Sequence, residues 1–398
     1  MKTKNILFIT HTYTTFQKSQ IESIANYFDN VFVLVRYKPI AEISRVLPIR
    51  YLRSHSKNQC IDLKNKPANI HIYTIPIFYF PWDKSYLNLG NRLYKKIKRF
   101  IRKNGIKFDL IHAHYLWTSG YVAIKLKKYY SKPVVITNHS TLQVSEFLSR
   151  SLTWKQKISQ TITNADHIFV VNNFMKEKVR EIDNKINVDI IPVGFNQEIF
   201  FPIEQDKARK SLSLPIGDTI ILNISRLDDN KNLELFIKGS SKLLKKYPNL
   251  QSLIIGDGTN YNKLDKLIND LGVERNIKLL GMIPHQKINQ WINACDFVAL
   301  TSFSEGSPTV MYEALACGKP FLGSTVGGIP EIIIHEDYGC LFDPLDINDM
   351  VNKMEHMIGK KWDRERILAY GSLFSQKKIS RDITNVYRKL IMGGKYQA

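Results

Sequence analysis

The sequence predicts an α/β protein made of two doubly wound domains, each with a parallel β-sheet covered by helices. Apolar runs of strand length alternate with helical patterns along the whole chain, and buried parallel strands have such continuous Ile, Val and Leu runs. The runs form two series, separated by a polar, turn-rich stretch between Pro192 and Pro215. The length of 398 residues suits two domains of ordinary size.

The boundary between the domains is predicted near residue 198, which gives domains of residues 1–198 and 199–375. The candidate strands of the first domain are NILFIT, VFVLV, DLIHAH, PVVIT, HIFVV and VDIIPV. Those of the second are TIILNIS, LQSLIIG, NIKLLG, FVALTS, PFLGS and GCLF. Ligands of such sheets bind beyond the carboxyl ends of the strands. We therefore expect the functional motifs to follow strands and to line a cleft between the domains.

Composition excludes several classes of protein. No run approaches the roughly 18 apolar residues that a membrane-spanning helix needs. The opening MKTKNILFIT lacks the apolar region and cleavage site of a secretory signal and is better interpreted as a first strand. The four cysteines have no zinc-binding spacing. These features favour a reduced, cytoplasmic protein without structural zinc.

The net charge of +21 is concentrated in the first half, because residues 1–200 contain 31 Lys and Arg against 13 Asp and Glu. The basic segment NRLYKKIKRFIRKNGIK predicts a helix with one apolar stripe, formed by Leu93, Ile97, Phe100 and Ile101. Its basic face is either simply solvated or also contacts anionic lipid headgroups or a phosphorylated partner. Nucleic-acid binding is not favoured, since no nucleic-acid motif accompanies the charge.

The stretch SEGSPTVMYEALACGKP places two carboxylates around the start of one predicted helix. Pro308 is expected at the first helical position with Ser307 as the cap, and the amides of residues 306–310 would form an anion site. Glu313 falls in the second turn and Glu305 in the preceding loop, at most ~12 Å away. That spacing suits two parts of one ligand, such as a sugar and a ribose, better than one metal ion. The alternative is that both carboxylates only contact solvent.

Two further motifs follow predicted strands of the second domain. In NISRLDDNKN, Arg226 and Lys231 could neutralise a diphosphate and stabilise it as a leaving group. A surface pair without function is the alternative. Gly256 lies in the glycine-rich turn IIGDGTN, and the GMIP segment around Ile283 could present backbone groups to a nucleobase.

Histidines end two strands of the first domain. His139 follows VVITN, and His112 and His114 lie in DLIHAH. A histidine at such a position can bind a sugar hydroxyl or a phosphate. His112 is more simply interpreted as a structural residue, and the spacing of the three does not require a metal.

Together these motifs resemble the retaining glycosyltransferases of family 4, which have the GT-B fold of two Rossmann-like domains. The likeness rests on Arg226 and Lys231, GDG, the carboxylates of SEGSPTVMYEALACGKP, and GGIPEII, all between residues 219 and 334. DLIHAH, ADHIFVVN and IIPVGFNQEIF extend it over residues 109–200.

The resemblance implies a role for each matching residue. Arg226 and Lys231 would hold the donor diphosphate, Glu305 the transferred sugar and Glu313 the ribose. The segment of Gly306, Ser307, Pro308 and Thr309 would contact sugar and phosphate through its backbone, and His139 would lie by the reacting centre. No metal or other cofactor is expected.

The sequence departs from the family in the first loop, residues 10–19, which has no glycine for close approach to the diphosphate. Its contacts are therefore left open. The terminal segment 376–398 resembles the family's closing helix, which crosses back to the first domain.

The sequence thus predicts a retaining enzyme that transfers a hexose-type sugar from a UDP-, GDP- or ADP-sugar to a glycan or lipid-linked acceptor. Cell-surface polysaccharide or glycolipid synthesis, peripheral at the inner membrane face, fits the basic first half. A non-catalytic partner subunit of another glycosyltransferase is the alternative, and an epimerase or a phosphorylase is a third possibility.

Overall fold

The computed structural model describes residues 4–45, 56–79, 83–139 and 151–393. The chain divides into two compact units. The first contains Met1–Pro192 and Gln376–Ala398, and the second contains Val193–Ser375. The break at Pro192 falls within six residues of the predicted boundary.

The first unit is built on a parallel sheet that has seven strands within the described residues. The strands are β1 (Asn5–Thr10), β2 (Asn30–Tyr37), β3 (Ile70–Pro76), β4 (Leu110–His114), β5 (Val134–Asn138), β6 (His167–Val170) and β7 (Val188–Ile190). Their order across the sheet is β3-β2-β1-β4-β5-β6-β7. The order reverses between β1 and β4, so the carboxyl ends of these two strands flank the switch point where ligands of such sheets bind.

Helices connect these strands. They are α1 (Thr15–Ala25), α2 (Lys57–Cys60), α3 (Asp83–Lys103), α4 (Tyr121–Tyr130), α5 (Leu152–Thr163) and α6 (Asn173–Ile182), with short turns at Pro39–Arg45 and Leu116–Gly120. Helix α3 is the predicted basic helix, and its stripe residues Leu93, Ile97 and Ile101 are buried while Phe100 is half-buried. Its exposed face carries Arg92, Lys95, Lys96, Arg99, Arg102 and Lys103.

The second unit repeats the architecture with six parallel strands, again counted over the described chain. They are β8 (Thr219–Ile224), β9 (Leu250–Ile255), β10 (Ile277–Gly281), β11 (Phe297–Leu300), β12 (Phe321–Ser324) and β13 (Gly339–Phe342), in the order β10-β9-β8-β11-β12-β13. Its helices are α7 (Gln205–Ser211), α8 (Leu233–Leu243), α9 (Tyr261–Asp270), α10 (His285–Ala294), α11 (Thr309–Ala316), α12 (Ile329–Ile332), α13 (Ile347–Gly359) and α14 (Arg364–Ser372), and a short turn covers Asp229–Lys231.

The last helix, α15 (Gln376–Gly393), belongs to the first unit. Ile379, Ile383 and Tyr387 on its inner face join the core formed by β1, β2 and α1. The hydroxyl of Tyr387 makes a short hydrogen bond with Nδ1 of His112 in β4. The terminal helix is therefore an integral part of this core.

The α/β fold with two parallel sheets is confirmed, and each predicted strand is present, although some end up to three residues earlier. Strand β3 was not predicted. It lies at the sheet edge and pairs only with β2 among the described strands. His71 and Tyr73 are half-exposed there, so IHIYTIP lacks the continuous apolar run of a central strand.

No helix of the described chain is long and apolar enough to span a lipid bilayer.

Candidate active site

Two loops at the carboxyl edge of the second sheet are hydrogen-bonded into one framework. One follows β8 and carries Lys231, and the other follows β11 and carries Glu305. The amide of Phe303 donates to the carbonyl of Asn230 at 2.8 Å, and the Asn230 side chain donates back to the carbonyl of Ser304 at 2.9 Å. The hydroxyl of Thr301 donates to the carbonyl of Lys231 at 2.8 Å. These bonds fix the backbone positions of Lys231 and Glu305.

Lys231 and Glu305 form a direct ion pair. Nζ of Lys231 lies 2.5 Å from Oε1 of Glu305, and the hydroxyl of Ser302 donates to the same oxygen at 2.6 Å. Both charged side chains are mostly buried, so the interaction is screened less than a surface pair. The site thus holds a preorganised cation and a carboxylate side by side, which sequence spacing did not indicate.

The loop of Glu305 rests on the glycines of the GGIP segment. Gly327 has φ +55°, and a Cβ there would lie 1.7 Å from the carbonyl oxygen of Glu305. The amide of Gly328 donates to the carbonyl of Gly306 at 3.0 Å. Only glycine permits both this backbone conformation and this close approach.

We therefore expect Gly327→Ala to displace Glu305 and to destabilise the protein by more than about 1 kcal/mol. Gly272 is the matched control, because its φ is +64° but no atom of the described chain would lie within 4 Å of a Cβ there. Gly272→Ala should show the backbone strain alone and keep donor turnover. Urea unfolding and donor turnover of both variants test this, and equal losses of turnover would contradict the assignment of a supporting role to Gly327.

The helix that carries Glu313 begins one residue later than predicted. Helix α11 starts at Thr309, and Pro308 occupies the cap position with extended backbone angles. The prediction of Pro308 as first helical residue and Ser307 as cap is therefore wrong. The Ser307 hydroxyl instead pairs with the hydroxyl of Tyr312 at 2.5 Å. Tyr312 is buried in α11, and the start of this helix has no side-chain cap hydrogen bond.

Glu313 lies in the second turn of α11, as predicted, and is 5% exposed. Its Oε1 lies 3.0 Å from Nε2 of His285, the first residue of α10. Burial lowers the pKa of His285, but the hydrogen bond and the negative charge of Glu313 outweigh burial and hold that pKa above its usual value. His285 is a site residue that the sequence analysis missed. Its position directly after the GMIP segment was the available signal.

This pair predicts a pH-dependent contribution to stability. The pKa of His285 is higher in the folded than in the unfolded chain. The contribution is therefore fully present below about pH 6.5 and is lost as pH rises through the folded pKa. Between about pH 6 and pH 8.5, the free energy of unfolding should fall more in the natural protein than in Glu313→Gln. Parallel pH profiles from urea unfolding would contradict this coupling.

The two carboxylates line one cavity of about 210 Å³. Lys231, Glu305, His285 and Glu313 contribute its polar wall, and Pro308 and Thr309 bring the start of α11 to it. The amides at a helix start attract anions. The cavity therefore presents a cation, a helix N-terminus and two carboxylates, which is the combination needed to bind a diphosphate between two hydroxyl-bearing groups.

Five other predicted residues of this unit do not line the cavity in the described structure, namely Arg226, Gly256, Ile283, Gly306 and Ser307. The side chain of Arg226 is 78% exposed and pairs with Asp228 at 2.8 Å. Gly256 packs against the backbone that precedes Arg226, because a Cβ at Gly256 would lie 1.8 Å from the carbonyl oxygen of Ser225. Ile283 is half-buried between β10 and α10.

In the first unit, His139 follows β5 and belongs to a buried histidine cluster. Its Nε2 lies 2.9 Å from Nδ1 of His114 at the end of β4. Burial lowers the pKa of all three histidines, His112, His114 and His139, and that of His114 to about 3. Neighbouring histidines lower the pKa of His112 and His139 further. These imidazoles are therefore neutral near pH 7 and do not supply positive charge, and the half-buried His139 can exchange hydrogen bonds with a hydroxyl.

The glycine-free first loop brings aromatic side chains against this cluster. The His11 ring stacks on Tyr115 at 4.8 Å between centroids, and Phe16 packs edge-on to His139 at 4.8 Å. Gln17 donates to the Tyr115 hydroxyl at 2.9 Å. The side chains of the first loop thus pack directly against Tyr115 and His139.

Across the described ranges, no group of three or more His, Cys, Asp or Glu side chains is arranged to hold a metal ion.

Comparison with known families decides the identity of the chain. A family model described as glycosyl transferases group 1 matches residues 204–373, and one described as Glycosyltransferase Family 4 matches residues 53–198. The chain belongs to glycosyltransferase family 4. The predicted membership is confirmed.

Curated relatives of this family 4 chain are distant. An uncharacterised glycosyltransferase of Methanocaldococcus jannaschii, MJ1178, is 27% identical over 82% of this chain and 87% of its own length. D-inositol 3-phosphate glycosyltransferase of Corynebacterium aurimucosum is 27% identical over 73% and 74%.

Solved structures show the same GT-B fold. Sucrose-phosphate synthase from Thermosynechococcus elongatus has a TM-score of 0.75 at 21% identity, covering 98% of this chain and 100% of its own. The Anabaena protein Alr3699/HepE, in complex with UDP, has a TM-score of 0.74 at 20% identity, covering 97% and 100%. At these identities the likeness establishes the fold of the family 4 chain.

Proposed function

We propose that the protein transfers a hexose-type sugar, with retention of anomeric configuration, from a nucleotide-diphosphate sugar to a glycan or lipid-linked acceptor. The single observation that carries this proposal is the 210 Å³ cavity, in which Lys231, Glu305, Glu313 and the start of α11 meet. Complexes of the Anabaena neighbour with UDP and with UDP-glucose support a nucleotide-sugar donor, with UDP as the first base to test.

Each part of the donor would contact a different wall of the cavity. The ribose hydroxyls would donate to Glu313, replacing the contact from His285, and the sugar hydroxyls would donate to Glu305. The diphosphate would lie between them against Lys231 and the start of α11. Arg226, whose side chain is exposed, would add charge from outside the cavity.

These groups stabilise the charge that develops during transfer. The bond between the anomeric carbon and the phosphate oxygen breaks with its electron pair on the diphosphate, and Lys231 and the helix start neutralise that charge. In a front-face reaction the acceptor hydroxyl attacks the same face of the sugar and gives its proton to the departing phosphate oxygen. The neutral His139 would bind a donor or acceptor hydroxyl. Since the chain supplies its own cations, we propose that transfer needs no metal cofactor.

Donor turnover tests this proposal. The purified protein is incubated with UDP-, GDP- and ADP-hexoses, with and without EDTA, and nucleotide release is measured while NMR records the anomer of the product. We expect one base to be preferred, EDTA to have no effect and the donor configuration to be retained. Inversion would contradict the mechanism, and absence of both turnover and nucleotide binding would favour a non-catalytic partner subunit.

We further propose that the enzyme works as a peripheral protein at the inner membrane face, in cell-surface polysaccharide or glycolipid synthesis. The exposed basic face of α3 supports this, because anionic headgroups attract such a surface. Replacing Lys95, Arg99 and Arg102 with Gln should abolish flotation with phosphatidylglycerol vesicles at low salt. Removing the same charge at Lys207, Lys210 and Lys266, which are exposed in the second unit, should not. Equal flotation of both triple variants would contradict the proposed face.

A further inference from the structure

A second cavity, of about 230 Å³, lies at the opposite edge of the six-stranded sheet from the donor cavity. Its wall includes Thr219, which begins β8, Asp296, which precedes β11, and Pro320, which precedes β12. The amino ends of these parallel strands meet there, whereas Lys231 and Glu305 follow the carboxyl ends. The two cavities are therefore separate sites of the same unit.

The cavity contains a buried lysine. Lys319, the penultimate residue of SEGSPTVMYEALACGKP, is only 7% exposed and lines the cavity. Its backbone is fixed between Gly318, at φ +71°, and Pro320, and its amide donates to the carbonyl of Ala314 at 3.0 Å. Within the described ranges its amine has neither a hydrogen bond nor an ion pair. A buried ammonium group without a partner is costly, and burial lowers the pKa of Lys319.

Asp296, which lines the same cavity, does not pair with Lys319. Asp296 raises the pKa of Lys319 against the effect of burial, but its oxygens serve other donors. Oδ2 accepts from Nη2 of Arg209 at 2.9 Å and from the amide of Ile220 at 2.6 Å, and Oδ1 accepts from Gln205 at 3.0 Å. The hydrogen-bonding capacity of Asp296 is thus used within the fold, and the Lys319 amine remains available to the cavity.

A second unpaired donor lies next to Lys319. The Nη atoms of Arg364 bind Glu204 and the carbonyl of Ile203, but its Nε is buried without a partner in the described chain. The side chain packs over Gly318, where a Cβ would lie 2.7 Å from Cγ and 3.3 Å from Nε of Arg364. The absence of a side chain at Gly318 therefore lets the guanidinium reach the cavity beside Lys319.

We propose that Lys319 and Arg364 form a binding site for a phosphate group, carried either by inorganic phosphate or by a small phosphomonoester. Arginine and lysine donors together satisfy several phosphate oxygens. Lys319 and Lys360 leave the cavity positively charged, because Asp296 is already paired with Arg209 and Arg364 with Glu204. The half-buried Trp362 forms one wall of the cavity.

Phosphate binding to purified variants tests this site independently of the donor assignment. Lys319→Met replaces the unpaired amine with an apolar chain and is expected to fold, because removing an unsatisfied buried charge is not destabilising in itself. Calorimetry with inorganic phosphate and with glycerol phosphate should show at least about tenfold weaker binding in Lys319→Met and in Arg364→Gln. Lys266→Met, on the exposed face of α9, is the matched control and should bind like the natural protein.

Lys231→Met distinguishes phosphate binding at the new site from binding in the donor cavity. This substitution should abolish only the binding that occurs in the donor cavity. A higher affinity for glycerol phosphate would identify an organic phosphate as the ligand, and a higher affinity for inorganic phosphate would identify the free anion. Two results would overturn the proposal: equal phosphate affinity of the natural protein and Lys319→Met, or loss of all phosphate binding in Lys231→Met.

Discussion

Replacing Glu305 with Gln is expected to lower donor turnover by about 10²–10³-fold, with little change in nucleotide affinity. The variant keeps the size of the side chain but removes the negative charge of the carboxylate. Oε1 of that carboxylate pairs with Lys231 and accepts a hydrogen bond from Ser302. Because that charge faces the sugar in the proposed complex, its loss should affect the transition state more than the bound nucleotide. Nucleotide release from the preferred donor measures the rate, and a thermal-shift titration measures the affinity.

Glu274→Gln is the control for this experiment, because Glu274 is exposed in the loop between α9 and β10 of the same unit. It should have the turnover and nucleotide affinity of the natural protein. Turnover of Glu305→Gln within about threefold of the control would show that Glu305 does not act on the transferred sugar.

Replacing Glu313 with Gln should have the opposite pattern, weakening nucleotide affinity about 10–100-fold while kcat at saturating donor changes little. A buried carboxylate accepts charge-assisted hydrogen bonds from both ribose hydroxyls, whereas an amide oxygen accepts weaker ones. The side chain is fixed for this task by its burial and by its contact with His285.

The two variants form a matched pair, since each replaces one carboxylate of the same cavity with its amide. Calorimetry with the preferred nucleoside diphosphate gives the affinity of each variant. Equal affinities of Glu313→Gln and Glu305→Gln would contradict the division of roles between ribose and sugar.

Much of the structure around the site could be predicted, because buried parallel strands have a recognisable apolar sequence. Each strand preceding a motif is a buried apolar run, and the position of Glu313 in a second helical turn follows from the spacing after Pro308. The edge strand β3 was missed because its exposed face interrupts the apolar run. The first residue of α11 was misplaced because Ser307 bonds with Tyr312 rather than with helix amides.

Contacts between distant segments could not be predicted from spacing. The ion pair joins Lys231 to Glu305 across 74 residues, and the His285–Glu313 contact spans 28. The neutral state of His139 likewise depends on burial and on His114, which approaches from a neighbouring strand. Such properties arise from tertiary packing, so a motif indicates which residues meet but not which atoms pair.

A crystal structure with the preferred nucleoside diphosphate would show directly whether this cavity is the donor site. We expect ribose hydroxyls within about 3 Å of Glu313, and the diphosphate against Lys231 and the amides at the start of α11. We also expect that His285 no longer donates to the Glu313 oxygens that the ribose occupies. A nucleotide bound elsewhere, for example with its phosphates at Lys319, would contradict the assignment of this cavity as the donor site.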